Sequence, residues 1–442
     1  MAFLHTHSCE SLKSELELFT VPSTQVTIES SHWVHYKPIA SLTDDCPIEF
    51  NIPGNTEEYL DLAHTMLYLK VSIKSDVDTE GADAATQALL KNVGPVNNFM
   101  HSLFSQVDVS FNQKLVTPPC NGYGYRAYIE NLLNYSSDAK NSHLQSVCWF
   151  NDTAGSMDDL KDRNSGLQAR RNMLNKNNSI DMIGHLHCDV FNQNKFLLNG
   201  VDLKVRLIKA RPAFSIMDET GTFYVHFEEA TLQIRRVKIS PGVLIAHANT
   251  LSKTTAKYDL TRVDVKSVAI SQGILSHTID SVIIGQIPKR IILGFVTNKA
   301  YNGDRKLNPF NFQNFDLNYL SMYVDGLQVP SSPLQPVFTG NNSAYVEAYH
   351  TLFSGTGVHF HNQGNSIDRL SYPNGYCLFA FDLTPDLSAN EGHWNLVKHG
   401  TVRIDVRFAK ALTETINCII YSEYNSICEI DASRQCFIDF SG

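Results

Sequence analysis

Bulky apolar residues alternate with charged residues in two similar hexapeptides that lie about two hundred residues apart. Val205–Ala210 has the sequence VRLIKA, and Val406–Ala411 has the sequence VRFAKA. A period of two is typical of a strand with one buried face. Each hexapeptide follows a glycine turn, at Asn199-Gly200 in the first copy and at His399-Gly400 in the second. We therefore predict that the two hexapeptides are equivalent strands of a duplicated unit.

Four further pairs of segments recur in the same order, so the duplication extends over most of the chain. The offset within a pair varies from 193 (380 − 187) to 237 (262 − 25) residues, which indicates matched blocks separated by loops of unequal length. A repeat of this length has the size of a whole β domain and is too long for a solenoid or a propeller blade. The pairs are Gln25–Ser30 with Arg262–Ser267, Val107–Val116 with Leu320–Val329, Tyr125–Leu133 with Tyr345–Phe353, and His187–Val190 with Ala380–Leu383.

The remaining strand-like segments predict roughly eight strands in each half, with helices inserted at fixed places. A parallel α/β fold would instead alternate strands with helices of roughly 10–15 residues throughout. The predicted fold is therefore all-β with inserted helices, as a double jelly roll: two eight-stranded β-sandwich barrels in tandem.

The turn at Pro241-Gly242 marks the end of the first half. We predict an N-terminal arm at residues 1–24, a first jelly roll at 25–240, a linker helix at 241–261 and a second jelly roll at 262–442. Two segments should lie outside the sheets. One is the acidic, alanine-rich loop Asp76–Lys91, and the other is the long insertion between Pro118 and Ser179.

The length of 442 residues fits two β units, because all-β domains often run to about 200–250 residues each. Apolar residues make up 43% of the chain and aromatic residues 10%, which is enough for two cores. Charged residues make up only 18%, below the roughly 25% of ordinary soluble domains. Two interpretations stay open: much surface is buried in an assembly, or the surface is covered by Asn, Ser and Thr.

The charge and cysteine patterns exclude several classes of function. The net charge is −9 and no long basic run is present, so tight direct binding to nucleic acid is not expected. We expect neither a secretory signal nor a membrane span, because the required apolar stretches are missing. The nine cysteines form no CxxC pair, which predicts free thiols in a reducing compartment rather than a disulfide framework or a zinc ribbon.

Paired histidines are the strongest candidates for a metal site. His185-Leu-His187 and His359-Phe-His361 would each place two imidazoles on one face of a strand, as in the metal sites of cupins. The cupin pattern requires a Glu shortly after the pair, and neither pair has one. This favours the interpretation that these are ordinary packed or surface histidines rather than metal ligands. His5-Thr-His7-Ser-Cys9 lies in a flexible arm and is a poor preformed site. We predict no metal-binding residues.

The other candidate motifs do not indicate catalysis either. Gly122-Tyr-Gly124 lacks the third glycine of a phosphate-binding loop, and Glu228-Glu229 and Asp158-Asp159 are neighbours in sequence without convergent geometry. The nucleophile, nucleotide and zinc motifs of common enzymes are also missing. We therefore predict no catalytic residues, no cofactor and no enzymatic activity.

Several long motifs resemble one known family over roughly residues 25–440. In the second half they are Gly285–Val296 (GQIPKRIILGFV), Asn308–Phe312 (NPFNF), Tyr323–Pro330 (YVDGLQVP), Ala348–Gly357 (AYHTLFSGTG) and Phe379–Asp386 (FAFDLTPD). In the first half they are Leu198–Leu207 (LNGVDLKVRL) and Arg235–Pro241 (RRVKISP). Together these segments resemble the major capsid protein of Polinton/Maverick elements and the related adintoviruses.

The resemblance implies a double jelly-roll fold, shared with adenovirus hexon and virophage capsid proteins. In that lineage two barrels stand upright in each chain, and three chains form a pseudo-hexameric capsomer. The implied function is to tile an icosahedral shell around a double-stranded DNA genome. The implied partners are two further copies in a homotrimer, neighbouring capsomers, and penton and minor capsid proteins. The implied location is the virion capsid, after synthesis in the host cytoplasm.

A different class of function stays open on the residues alone. A jelly roll also serves as a carbohydrate-binding module or a cupin-like enzyme. The missing metal motif disfavours the enzyme. A carbohydrate-binding module needs exposed aromatic platforms, for which Trp149-Phe150 and Trp394 are the weak candidates.

Overall fold

The computed structural model describes residues 7–43, 46–75, 93–174, 178–219 and 221–440. Within these ranges, two successive sets of eight strands form the body of the molecule. The first set is β1 (Ile28–Tyr36), β2 (Ile48–Ile52), β3 (Glu58–Ser75), β4 (Phe104–Phe111), β5 (Lys114–Leu115), β6 (Ser179–His185), β7 (Leu203–Lys209) and β8 (Phe223–Ile239). The second set is β9 (Ala256–Ile270), β10 (Ser276–Gln286), β11 (Arg290–Thr297), β12 (Leu317–Val324), β13 (Leu327–Leu334), β14 (Leu378–Asp382), β15 (His399–Phe408) and β16 (Ile416–Ile430).

Each set forms two facing antiparallel sheets with the same strand order. The first set has the orders β1-β8-β3-β6 and β2-β7-β4-β5, and the second has β9-β16-β11-β14 and β10-β15-β12-β13. Both are the order of a jelly roll, in which the first strand pairs with the last and the second with the seventh. The predicted fold class is confirmed. Short strands outside this scheme lie at Gly94–Pro95, Ile216–Met217, Phe312–Gln313, Asn374–Gly375 and Cys436–Ile438, and the last of these extends the β9 sheet beside β16.

The two repeated hexapeptides occupy the same place in the two jelly rolls. Val205–Ala210 begins within β7, and Val406–Ala411 begins within β15, each the seventh strand of its set. Val205 and Leu207 are buried while Arg206 between them is exposed, and Val406 and Phe408 are buried on either side of exposed Arg407. The alternation seen in sequence therefore places one face of each strand in a barrel core.

Helices occur at matching places in the two halves. Helix α1 (Tyr123–Asn134) lies between the fifth and sixth strands of the first set, and α4 (Val346–Ser354) lies between the fifth and sixth strands of the second. Helix α2 (Ser165–Asn172) belongs to the longer first insertion, and α3 (Pro241–Leu251) joins the two sets. Shorter helical segments are Phe99–Ser102, Ser137–Lys140, Pro212–Ser215, Asn298–Asn302, and the 3-10 turns Ser14–Leu16 and His143–Val147.

The predicted linker helix at 241–261 is wrong in its second half. Helix α3 ends at Leu251, and strand β9 begins at Ala256 rather than at Arg262. Tyr258 and Leu260 are buried while Lys257 and Asp259 are exposed, so this stretch has the period of a strand. The first strand likewise begins at Ile28, three residues after the predicted start at residue 25. The predicted loop Asp76–Lys91 lies outside the described residues.

Successive strands run in opposite directions, which divides the loops between two ends of the molecule. One end, called here the upper end, carries the insertions between β5 and β6 and between β13 and β14. The other, called here the lower end, carries the N-terminal arm and α3, because β1 begins there and β8 ends there. Residues 7–24 of the arm are exposed at every position. No helix in the described part of the chain is both long and apolar enough to span a membrane.

Candidate functional site

Helix α1 of the first insertion fills the space between the two jelly rolls. All of its residues from Tyr123 to Leu133 are buried. Gly122, which precedes the helix, lies so close to β9 that a Cβ atom there would approach the Val265 side chain to 2.8 Å. Only glycine allows this approach without a shift of the strand. The glycines of Gly122-Tyr-Gly124 therefore serve packing, and the buried junction between the modules is the most elaborate site in the described structure.

Aromatic rings form the apolar part of this junction. The ring of Tyr128 on α1 stacks on Phe310 of the second module, with centroids 4.2 Å apart, and contacts Trp149 at 5.3 Å. Tyr125 stacks on Tyr301 at 5.9 Å. Trp149 is fully buried, so it cannot be the exposed platform that a carbohydrate-binding module would need.

A buried network of charged groups forms the polar part of the junction. Arg126 on α1 donates to Glu130 one turn later at 2.8 Å, and its guanidinium lies 2.7 Å from Asp189. Glu130 also lies 2.5 Å from Nδ1 of His187. Burial by itself would raise the pKa of Glu130, but Arg126 and the hydrogen bond from His187 lower it to about 2. Glu130 is therefore ionised at neutral pH in spite of its burial.

The same network continues into the second module. The Tyr421 hydroxyl on β16 lies 3.2 Å from Glu130 and 3.0 Å from Glu423, and Glu423 accepts from Arg290 at 3.3 Å. On its other side, the backbone N–H of Val263 donates to Asp189 at 3.4 Å. Charged side chains of α1 are thus bonded directly to β16, linked through Asp189 to β9, and linked through Tyr421 and Glu423 to β11.

A second polar cluster joins the two insertions at the upper end. Arg170 and Asp152 form an ion pair of 2.6 Å with both side chains fully buried, and Asn308 of the second module donates to Asp152 at 2.9 Å. The Lys140 ammonium donates to the carbonyls of Leu132 at 2.7 Å and Asn365 at 2.6 Å. Burial lowers the pKa of Lys140 to about 7. The predicted insertion between Pro118 and Ser179 thus lies outside the sheets but is packed against the other module.

The two buried polar clusters hold the segments that carry them in fixed relative positions. The charged groups of both clusters lie within hydrogen-bond distance of opposite charges or polar partners inside the protein. Removal of one partner from a buried pair of this kind is costly, because it leaves an uncompensated buried charge. We infer that the junction sets the orientation of the two jelly rolls relative to each other.

The paired histidines do not form convergent sites. His185 ends strand β6 and bonds Asn192 at 2.9 Å, whereas His187 lies beyond the strand and bonds Glu130. The premise that His359 and His361 share a strand face is wrong, because both lie in the turn after α4. Among the described residues, no group of three or more His, Cys, Asp or Glu is arranged to hold a metal ion. His7 and Cys9 lie in the exposed arm, and His5 is outside the described residues.

The remaining sequence candidates also have structural partners. Glu228 pairs with Lys70 at 3.0 Å, and Glu229 pairs with Lys37 at 2.5 Å. Asp158 accepts from the backbone of Asn308 at 2.6 Å and so ties the first insertion to the second module. All nine cysteines are free thiols, although the sulfur atoms of Cys428 and Cys436 lie only 3.0 Å apart.

Sequence reasoning missed the charged network, although a signal was present. Arg126 and Glu130 are spaced four residues apart in an otherwise largely apolar helix. A charged pair at this spacing can bond along one helix face. Charges within a helix that is apolar on all sides indicate a buried pair with further partners. The identity of those partners, Asp189 and Tyr421, lies too far along the chain to be found from the helix itself.

No known protein-family profile matches the chain. The uncharacterized protein F54H12.2 of Caenorhabditis elegans is 25% identical over 433 residues, which covers 95% of this chain and 99% of the nematode protein.

Solved viral structures share the architecture of the whole chain. A chain of the Sputnik virophage, solved by cryo-electron microscopy, superposes with a TM-score of 0.65 at 11% identity, covering 100% of this chain and 94% of the virophage chain. The crystal structure of the mavirus major capsid protein superposes with a TM-score of 0.54 at 10% identity, covering 100% of this chain and 97% of that one. At this level of identity the similarity concerns the fold. The chain therefore has the double jelly-roll fold found in virophage capsid proteins.

Proposed function

We propose that the protein is a major capsid protein that trimerises into pseudo-hexameric capsomers. The observation that carries the proposal is the presence of two jelly rolls of identical strand order in one chain, held side by side by the buried junction around α1. A threefold arrangement of such chains presents six similar barrels. Six similar edges let the trimer pack as an approximate hexagon in an icosahedral shell, without enzyme or cofactor.

A closed trimer is the assembly that this architecture favours. Homo-oligomers usually adopt closed cyclic symmetry, and obligate interfaces commonly bury about 2,000 Å² or more. The low charged fraction of 18% leaves polar and apolar surface available for such interfaces. Exposed large apolar side chains in several upper and lower loops, among them Phe360, Leu370 and Leu396, support the same conclusion.

Within this lineage, we place the chain with the capsid proteins of Polinton/Maverick elements and adintoviruses. The long ordered motifs of residues 25–440 support this placement. The full-length similarity to a nematode protein supports it further, since an element integrated in an animal genome would leave such a relative. In this proposal the boundary between the modules falls between Ile239, where β8 ends, and Ala256, where β9 begins. The mature protein resides in the virion capsid around double-stranded DNA and contacts neighbouring capsomers, penton and minor capsid proteins.

Light scattering and electron microscopy of the purified full-length chain test the proposal. The soluble fraction should have about three times the mass of one 49.5 kDa chain, or much more when shells form. Negative-stain images should show triangular or hexagonal capsomers or closed shells. Dilution should lower the melting temperature, because folding and association are linked. A monomer that stays stable at micromolar concentration and forms no particles at any salt concentration or pH contradicts the proposal.

A further inference from the structure

An apolar groove lies at the lower end of the molecule, beside the place where the N-terminal arm leaves the body. Its volume is about 510 Å³, and its walls come from both modules and from α3. The apolar lining consists mainly of Ile28, Phe196, Leu198, Ile239, Val243 and Leu251. An engineered cavity of roughly 150 Å³ holds a benzene-sized group. The groove therefore has room for about three large apolar side chains.

Helix α3 presents one face to this groove and leaves much of the rest uncovered. Val243, His247, Thr250 and Leu251 line the groove, at the spacing of residues on one helix face. His247 also bonds the Tyr59 hydroxyl at 2.9 Å and so fixes the helix against β3. Elsewhere on α3, Ile245 is 61% exposed. An apolar helix with this much exposed surface at the end of a barrel indicates a site of contact with another polypeptide.

The N-terminal arm has the complementary pattern. Leu12, Leu16 and Phe19 follow the spacing i, i+4, i+7 of one apolar helix face, and they are 71%, 63% and 96% exposed. A short 3-10 turn at Ser14–Leu16 already forms within this segment. Amphipathic helices commonly bind grooves through anchors at this spacing. On this one face the arm thus carries three large apolar groups that the single chain leaves in water.

Charge also matches between the arm and the groove. Residues 7–24 contain three glutamates and one lysine. The groove is flanked by Lys195, Lys253 and Lys257. Lys195 pairs with Asp259, whereas Lys253 and Lys257 are exposed and have no ion-pair partner among the described residues. An acidic segment seated in the groove would bring its glutamates near these ammonium groups.

We propose that residues 12–19 of the arm of one copy form a helix that docks in the α3 groove of a neighbouring copy. The inference rests on the proposed assembly, because it requires a second copy. The arm begins at the edge of its own groove, where the N–H of Ser240 donates to the carbonyl of Thr27 at 2.9 Å. Of the arm residues that the structure describes, 7–26, none lines that groove. Docking between copies buries both apolar surfaces at once and links neighbouring chains at the lower end.

Site-directed disulfide cross-linking of the full-length protein tests the docking. Two differently tagged chains are co-expressed in a Cys9→Ser, Cys46→Ser background, one with Leu16→Cys and the other with Thr254→Cys at the exposed rim of the groove. Mild oxidation should give a dimer that carries both tags. Its yield should exceed several-fold that obtained with Thr413→Cys at the upper end, and also that obtained with Leu18→Cys, which lies off the apolar face of the arm.

The alternatives give distinct results in the same samples. If only a chain carrying both Leu16→Cys and Thr254→Cys cross-links, and does so within itself, the arm occupies its own groove and the proposal is wrong. If light scattering shows trimers or shells but no cross-link forms, the docking is wrong while the proposed function stands. If the Cys9→Ser, Cys46→Ser parent and the wild type both stay monomeric, the proposed function fails and the docking fails with it.

Discussion

At the scale of single residues, the buried charges show most clearly how the protein holds its shape. Lys140 and the Arg126–Glu130 pair would be costly in a barrel core, yet each is matched by hydrogen-bond partners from another segment. The shifts in pKa follow from this balance between burial and partners. Burial lowers the pKa of the Lys140 ammonium, whereas for the Glu130 carboxylate burial is the largest single effect but is outweighed by Arg126 and His187 together.

Lys140 should make stability depend on pH above neutrality. Its pKa is about 7 in the folded protein and near 10.5 in the unfolded chain, so the unfolded state binds more protons between these values. Stability should therefore rise from pH 7 to pH 9 relative to the Lys140→Met variant. The variant itself should lose about 1–3 kcal/mol, because buried carbonyls lose their donor. Urea denaturation at several pH values measures both effects, and exposed Lys161→Met is the control. Equal pH dependence in wild type and Lys140→Met would contradict the assignment.

His393 should make a loop at the lower end less stable as the pH rises, which is the opposite of the effect predicted for Lys140. Its ring lies 2.8 Å from Asp386, and that hydrogen bond raises the pKa of His393, with Glu391 nearby at 3.4 Å. The contact is therefore fully present below pH 6.5 and weakens as pH rises through the raised pKa. We expect chymotrypsin cleavage after Trp394, relative to cleavage after Phe437, to increase from pH 6 to pH 8.5. His393→Gln should show a constant ratio, and a constant ratio in the wild type would refute the prediction.

At the scale of elements, the seventh strands show how an alternating sequence builds the barrel. In β7 the inward residues Val205 and Leu207 pair with Val109 and Val107 of β4, and in β15 Val406 pairs with Leu320 of β12. Their outward neighbours stay in solvent, where Lys204 and Arg206 both approach Glu49. Each strand therefore contributes to stability through one face only.

Truncation of the two faces of β7 should have unequal consequences. Leu207→Ala should lower the free energy of unfolding by about 2–5 kcal/mol, because it removes buried methyl groups and leaves a cavity. Lys204→Ala on the same strand should change it by at most about 1 kcal/mol, since exposed ion pairs contribute little. Denaturant unfolding of both variants measures the difference. Similar losses in the two variants would contradict the assigned register.

At the scale of the whole molecule, two barrels behave as one unit because an insertion of the first is buried against the second. Helix α1 is buried between them, and its charged residues are linked to β9 through Asp189, to β16 directly by Tyr421, and to β11 through Tyr421 and Glu423. A fixed angle between barrels is what a regular capsomer would require. The junction thus links the fold of one chain to the proposed geometry of assembly.

Removal of the charge on Glu130 should loosen this junction. Glu130→Gln keeps the size of the side chain but leaves His187 and part of Arg126 without their anionic partner. We expect a loss of about 3 kcal/mol, in the range found when one partner of a buried ion pair is removed. Glu49→Gln, which faces solvent, is the matched control. The midpoint of urea unfolding measures the change, and particles should form less readily under the same conditions. An unchanged midpoint would show that the pair is not essential to the junction.

The repeated architecture can be predicted from the sequence, because the period of two records which side chains face a core. The matching order of Val205–Ala210, Val406–Ala411 and the other blocks predicted a duplicated unit, and about eight strand-like segments with inserted helices predicted a jelly roll in each half. The same local rule, applied further, would also have identified residues 256–261 as strand rather than helix. Local periodicity therefore carries most of the information on elements and topology.

The contacts between the modules could not be predicted from the sequence. Glu130 finds Tyr421 at a separation of 291 residues, and Lys140 finds Asn365 at a separation of 225. Such partners depend on how whole barrels pack, and a periodic pattern describes which face of a strand is buried without specifying what covers it. For the same reason, the arm pattern at Leu12, Leu16 and Phe19 became meaningful only when the structure placed a groove of matching size and charge beside it.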